Sequence, residues 1–234
     1  MTCQRFYKRD TPMPVDFSDN HGDWQLSLVV TDPPWFENCY IVRHVASGKL
    51  AVVDPGGSAD KILEAIEALG GDVECILLTH GHPDHLGAVK PLQDKLGVPC
   101  KAHKNEGQLI DVIVNYAKSR LGMVVEPPKD VTYFTEKDPL TLGGQAFRAI
   151  PTPGHTPGGV CYDFGNFTLT GDTLFNEGVG RTDLPGGNGP LLMKSISGLL
   201  EQLSDACFLY CGHGPRWTAA EAKPWWKHML GYGY

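Results

Sequence analysis

Thr79-His80-Gly81-His82-Pro83-Asp84-His85 follows directly on the apolar run Cys75-Ile76-Leu77-Leu78, and everything else in the chain is best read outward from it. Four side chains able to ligate a metal, His80, His82, Asp84 and His85, stand within six positions. A helical zinc site is excluded, because Gly81 and Pro83 break helices and histidines two apart cannot share a helix face. On a loop leaving a buried strand, alternate side chains can instead converge on one point. Imidazole and carboxylate ligands suit zinc, iron or manganese better than a thiolate-bound cluster. Buried this close without a metal, they would repel one another or stay unpaired.

Three later fragments carry ligands of the same kind: Thr152-Pro153-Gly154-His155-Thr156-Pro157-Gly158, Thr170-Gly171-Asp172-Thr173 and Gly212-His213-Gly214. Each places one His or Asp beside glycine, which lets the backbone crowd a cluster and take turns closed to other residues. Between them run short apolar segments read as strands, at 25–30, 39–45, 49–53, 73–79, 146–150, 159–164, 167–170 and 207–211. Three amphipathic stretches predict helices. In 58–71, Ile62, Ile66 and Leu69 share a face, with Ser58 as N-cap and Gly70 at the stop. In 105–122 the stripe is Leu109, Val112, Ile113, Tyr116 and Ala117, ending at Gly122; in 188–203 it is Leu192, Ile196, Leu199 and Leu203. Segments 76–85 and 167–175 echo each other as strands breaking into polar, glycine-containing loops, which predicts two similar half-sheets delivering ligands to one edge. Hairpins mixed with strand–helix units give an α/β class of layered sheets covered by helices.

Composition narrows the function. The chain has 234 residues, with 20 Lys plus Arg against 27 Asp plus Glu, a net charge of −7. That balance argues against nucleic acid as a partner, which demands a basic stripe. No apolar run approaches the ~20 residues that span a bilayer, and the start of the chain lacks the apolar stretch of a secretory signal. The seven cysteines form no CxxC pair and are too sparse for a disulfide scaffold, so a reducing, cytoplasmic location is expected. Residues 1–22, polar and interrupted by proline, are read as an N-terminal extension to one domain at 23–234.

The run HxHxDH, followed by PGHTPG, TGDTLF and GHG, resembles the metallo-β-lactamase superfamily, and within it the short, single-domain glyoxalase II-like hydrolases. Asn38-Cys39-Tyr40, Val53-Asp54-Pro55-Gly56-Gly57 and Gly180-Arg181-Thr182-Asp183-Leu184-Pro185-Gly186-Gly187 match as well, so that the likeness spans residues 26–216. The resemblance implies a four-layer αββα sandwich with its site at one sheet edge. It implies two divalent metal ions, zinc or alternatively iron or manganese. His80, His82 and His155 would hold the first; Asp84, His85 and His213 the second; Asp172 would bridge them. The activity implied is hydrolysis of a thioester by a hydroxide shared between the metals, with Asp84 and Asp172 as catalytic residues. The partner implied is a small acyl substrate, such as an ester of glutathione or another thiol.

Arg181 stands where such enzymes carry a basic residue that touches the substrate, and is read either as contacting a substrate carboxylate or as a solvated or Asp183-paired arginine. Trp35 and Phe36 are read as an apolar flap or as packed aromatics, and the Trp-rich segment after His213 as a packing helix. His21, His44, His103 and His228 match no ligand position. Two rival activities use the same motif run: a mononuclear iron persulfide dioxygenase, and a lactonase or β-lactam hydrolase. The TPGG after the third histidine and the final GHG weigh against the first. Asp172, where metallo-β-lactamases generally carry Cys, weighs against the second.

Overall fold

Strands that are apolar at every position need cover on both faces, and the layering follows from that demand. The structure, a computed structural model, describes residues 15–121 and 124–231. One sheet has seven strands in spatial order: β1 (Phe17–His21), β2 (Trp24–Val30), β3 (Asn38–His44), β4 (Leu50–Val53), β5 (Val73–Leu77), β6 (Cys100–His103) and β7 (Val131–Phe134). It is antiparallel from β1 to β4 and parallel from β4 to β7. The second sheet contains β8 (Leu140–Leu142), β9 (Gln145–Pro151), β10 (Val160–Asp163) and β11 (Phe167–Gly171). After a separate ribbon, β12 (Leu174–Phe175) with β13 (Gly178–Val179), come its last two strands, β14 (Phe208–Cys211) and β15 (Trp217–Thr218). The spatial order is β15-β14-β11-β10-β9-β8, with β11 and β14 parallel.

Side chains alternate between layers as the period of two requires. In β4, Leu50 and Val52 pack beneath Ile62 of α1 (Ala59–Leu69), Leu92 of α3 (Val89–Leu96) and Ile113 of α4 (Gly107–Tyr116). Ala51 and Val53 face the other way, into a layer shared with Tyr162, Leu169 and Tyr210 of the second sheet. Beyond that sheet, Cys161 and Leu209 meet Leu192, Ile196 and Leu199 of α5 (Gly189–Gln202), and Ala222 and Trp226 of α6 (Ala219–Gly231). The result is helix, sheet, sheet, helix, as expected. Each fully buried Leu or Ile in these layers contributes roughly 1.5–3 kcal/mol of transfer free energy. No helix among the described residues is long and apolar enough to cross a membrane.

Several sequence expectations shift. Residues 17–21 fall within the expected extension, but they form β1, paired residue for residue with β2 from Phe17↔Leu28 to His21↔Trp24. The polar positions Ser18 and Asn20 disguise an edge strand that ends on His21, buried against the ring of Phe167. Residues 1–14, with Cys3, lie outside the described residues. Ser58 does not cap α1 with its side chain: it sits in the left-handed region, φ 52°, and its hydroxyl donates to Asp32 at 2.7 Å. In α4 the inward face is Leu109, Ile110 and Ile113, while Val112 is exposed; the helix closes at Tyr116 into a wide turn, and Gly122 lies outside the described residues. Of the C-terminal tryptophans, Trp225 and Trp226 lie in a packing helix, α6, with Trp226 buried, whereas Trp217 begins β15.

The strands point their functional ends the same way. The loops after β4, β5, β9, β11 and β14 all leave carboxyl ends, and these loops carry Asp54, His80–His85, His155, Asp172 and His213.

Candidate metal centre

The loop after β5 is built differently from a plain extended segment. His80 and His82 lie on it, but Pro83 starts a single helical turn, α2 (Pro83–Leu86), that carries Asp84 and His85. Proline is no obstacle there, because the first helical position needs no N–H donor and its φ is preset. This corrects the expectation that the motif is free of helix.

The structure brings all seven expected ligands together. Ligand atoms of His80, His82 and His155 lie within 4.8 Å of one another, as do those of Asp84, His85 and His213. Asp172 stands between the two sets. Its Oδ1 is 3.2 Å from His85 Nε2, and its Oδ2 is 3.7 Å from both His155 Nε2 and His213 Nε2. His213 Nε2 is also 3.3 Å from Asp84 Oδ2. The three-histidine set is buried, whereas Asp84 and His213 are partly open to solvent. The centre therefore opens on the side of the second set. There the loop bearing the exposed Trp35 and Phe36 runs into Glu37 and Asn38, which pair with the backbone of His213 and Gly212.

Whether these residues suit a metal can be judged from their protons. His155 Nδ1 is 2.7 Å from the carbonyl of Arg181, which can only accept, so Nδ1 donates and Nε2 keeps its lone pair. The Thr79 hydroxyl donates to Asp54 Oδ2 at 2.5 Å and therefore accepts from His80 Nδ1 at 3.0 Å, which leaves His80 Nε2 bare as well. Those two bare nitrogens face each other at 3.3 Å. His82 Nε2 is buried with no hydrogen-bond partner. Burial pushes the pKa of His80 far down and that of His82 down to about 3, the neighbouring imidazoles adding to the effect, so both are neutral. Two facing lone pairs with no proton to share, beside a buried and unpartnered imidazole nitrogen, are what a cation relieves; a single unsatisfied buried polar group already costs about 1–3 kcal/mol.

The second set also calls for positive charge. Burial opposes a charge on His85, yet Asp172, Asp54 and Asp84 outweigh it and raise its pKa. Burial would raise Asp172, but His85, His213 and His155 hold its carboxyl far below the usual range. Neither His85 Nε2 nor Asp172 Oδ1 has a satisfied hydrogen bond. The residues fit a metal at both sets.

Two supporting carboxylates stand outside every ligand motif of the sequence. Asp54 accepts from Thr79 N at 2.7 Å, from the Thr79 hydroxyl, and from His85 Nδ1 at 3.1 Å, so one side chain orients a histidine of each set. Glu106, wholly buried, accepts from the amides of Gly81 and Gly158. Burial raises its pKa, and the neighbouring Thr156 hydroxyl, followed by those amide bonds, works against the shift. Arg181 meets the centre through its backbone. Its carbonyl holds His155, while its exposed guanidinium forks Asp183 through two hydrogen bonds of 2.7 Å, so its charge is already matched.

Residues 32–213 match the Metallo-beta-lactamase superfamily. The chain is 34% identical over 177 residues to hydroxyacylglutathione hydrolase GloC of Haemophilus influenzae, covering 74% of this chain and 84% of that one. The structure of the BLEG-1 B3 metallo-beta-lactamase superposes with a TM-score of 0.77 at 30% identity, over 85% of this chain and 96% of its own. TTHA1623, solved in a di-iron-bound form, gives 0.74 at 33% identity, over 83% of this chain and 96% of its own.

Proposed function

The chain belongs to the metallo-beta-lactamase superfamily, and on that premise we propose that it is a dinuclear, glyoxalase II-like hydrolase of thioesters. The observation that carries this reading is Asp172, one carboxylate reaching toward both ligand sets at the mouth of the centre. The likeness to GloC supports the thioester as substrate class. Two divalent cations, zinc or alternatively iron or manganese, would supply Lewis acidity for the scissile carbonyl and lower the pKa of a bound water.

The protein's own groups do the rest. His80, His82 and His155 would hold one cation in the buried set; Asp84, His85 and His213 would hold the other on the open side. Asp54, directly for His85 and through the Thr79 hydroxyl for His80, and the Arg181 carbonyl for His155 would keep three Nδ1 protons in place and leave those three Nε2 atoms free to ligate. Asp84, partly exposed beside His213, is placed to take a proton from the attacking water. A departing thiolate needs little acid assistance, so no separate proton donor is required. The same reading places the protein in the cytoplasm, and the six described cysteines are free thiols, as a reducing compartment allows.

Metal analysis of the freshly purified protein, coupled to a substrate panel, tests the proposal. The panel holds an α-hydroxyacyl thioester of glutathione, a neutral thioester, a lactone, a β-lactam, and a persulfide followed by oxygen uptake. Two metals per chain and a thioester kcat/KM at least about tenfold above the others are expected, a gap of about 1.4 kcal/mol in barrier. One iron with persulfide-dependent oxygen uptake, or a β-lactam as the best substrate, overturns it.

Two smaller effects follow. Arg181→Ala should leave KM for anionic and neutral thioesters within about twofold of the parent, the usual range for an exposed site away from special features. The Arg181 carbonyl survives the substitution, and the lost charge was matched by Asp183. A rise in KM confined to the anionic thioester would restore a substrate role to the guanidinium. Stripping the metals should lower Tm. A ligand present at 1,000 times its Kd contributes about 4 kcal/mol, and a chain of this size shifts about 2–4 °C per kcal/mol, giving a fall of roughly 8–16 °C. Scanning fluorimetry before and after chelation reads this; an unchanged Tm with the metals gone contradicts it.

A further inference from the structure

We propose that Glu106 is the positioning residue of the three-histidine site, its carboxylate clamping the loop of His80 and His82 to the loop of His155. The proposal rests on the ligand reading above and assigns a side chain that touches no ligand atom.

Glu106 ends the short 3-10 turn Lys104–Glu106 ahead of α4 and is 0% exposed. Its Oε2 accepts from Gly81 N at 2.7 Å, and its Oε1 accepts from Gly158 N at 2.6 Å. Gly81 sits between His80 and His82, and Gly158 lies three residues beyond His155. The first loop leaves the seven-stranded sheet and the second the six-stranded sheet, so the two bonds cross the seam between sheets. They run beside one backbone crossing, from Val160 N to Thr79 O at 3.0 Å.

Both loops are pressed onto this turn. A Cβ on Gly81 would lie 2.8 Å from Ile110 Cγ1 and 3.0 Å from Glu106 Oε2; one on Gly158 would lie 2.7 Å from Glu106 N. Only a carboxylate meets both amides, because it offers an acceptor on each arm. A glutamine would turn one NH₂ against an N–H. Charge-assisted bonds of this kind are roughly twice as strong as neutral ones, which is what allows a carboxylate to stay here buried. Neither bond is made to the helical turn Pro83–Leu86 that carries Asp84 and His85, or to the loop of His213, so the clamp acts first on the three-histidine set.

The test separates the two sets. Cobalt(II) is titrated into the metal-free full chain and followed by its absorption bands, in a His213→Ala background that keeps the three-histidine set and in a His82→Ala background that keeps the other. Glu106→Gln should weaken cobalt binding about 10–100-fold in the first background, the usual cost of losing a supporting partner, and less than about twofold in the second. Equal weakening in both backgrounds would make Glu106 a general fold determinant, and no weakening in the first would make it idle; either overturns the proposal. If circular dichroism shows Glu106→Gln unfolded, Glu106→Asp, too short to reach both amides, is read in the same two backgrounds by the same criterion. The parent should bind two cobalt ions and each histidine variant one. If His82→Ala still binds two, the ligand reading fails, and the clamp with it; if His82→Ala binds one but Glu106→Gln is silent, the clamp alone fails.

Discussion

Asp172→Ala is expected to lower kcat by roughly 10³-fold or more while the fold persists, since an electrostatic contact to the reacting centre commonly carries 10²–10³ by itself. The side chain stands 3.2 Å from His85 Nε2 and 3.7 Å from His155 and His213, so its loss takes an oxygen from both ligand sets together. It belongs to none of the three apolar clusters, which is why the fold should survive. Metal content should drop below two per chain. Asp172→Asn, the same shape without the charge, should fall between parent and alanine in metal affinity. Measurement of kcat, metal per chain and far-UV circular dichroism on all three proteins decides the matter. Activity within a few-fold of the parent at two metals per chain would end the dinuclear reading.

Gly212→Ala should be nearly as damaging although no ligand changes. A methyl at Gly212 would sit 2.3 Å from Asp172 Oδ1 and 2.6 Å from His85 Cε1, well inside contact distance. Something must move, and the groups in the way are the carboxylate of Asp172 and a histidine of the second set. A displacement near 1 Å at a reacting centre costs about 10²-fold in rate, and the overpacking itself about 1–3 kcal/mol of stability. Gly198, in α5, has open space within 4 Å of where a methyl would stand, so Gly198→Ala is the matched control and should stabilise by about 0.5–1 kcal/mol. Equal metal affinity in the two variants would show that the backbone at Gly212 yields without disturbing the centre.

The inner strands and the ligands are legible in the sequence for different reasons. β2, β3, β4 and β5 are buried on both faces, so they read as largely unbroken apolar runs. The ligands read because four of the seven fall within six residues and the others sit beside glycine. What stays hidden lacks such density. β1 lies at a sheet edge with only part of one face covered, β6 is Cys100-Lys101-Ala102-His103 without a branched residue, and α3 carries Pro91 in its first turn. Glu106 is a lone glutamate whose partners are backbone amides 25 and 52 positions away, and backbone donors leave no mark in a sequence. For Arg181 the match fixes a position but does not choose between substrate and Asp183, the partner its guanidinium finds two residues on.

Because each ligand set draws on both sheets, the centre is divided along the chain as well as across the fold. The proposed three-histidine site takes His80 and His82 from the first half and His155 from the second; the other takes Asp84 and His85 from the first and His213 from the second. A ribosome must therefore have delivered residue 155 before one site can close and residue 213 before the other can. The buried set is thus complete along the chain ahead of the open one. A fragment that stops between the sheets, near residue 135, would present four unclosed ligands to the cell, and metal retention would then report whether the second half has arrived.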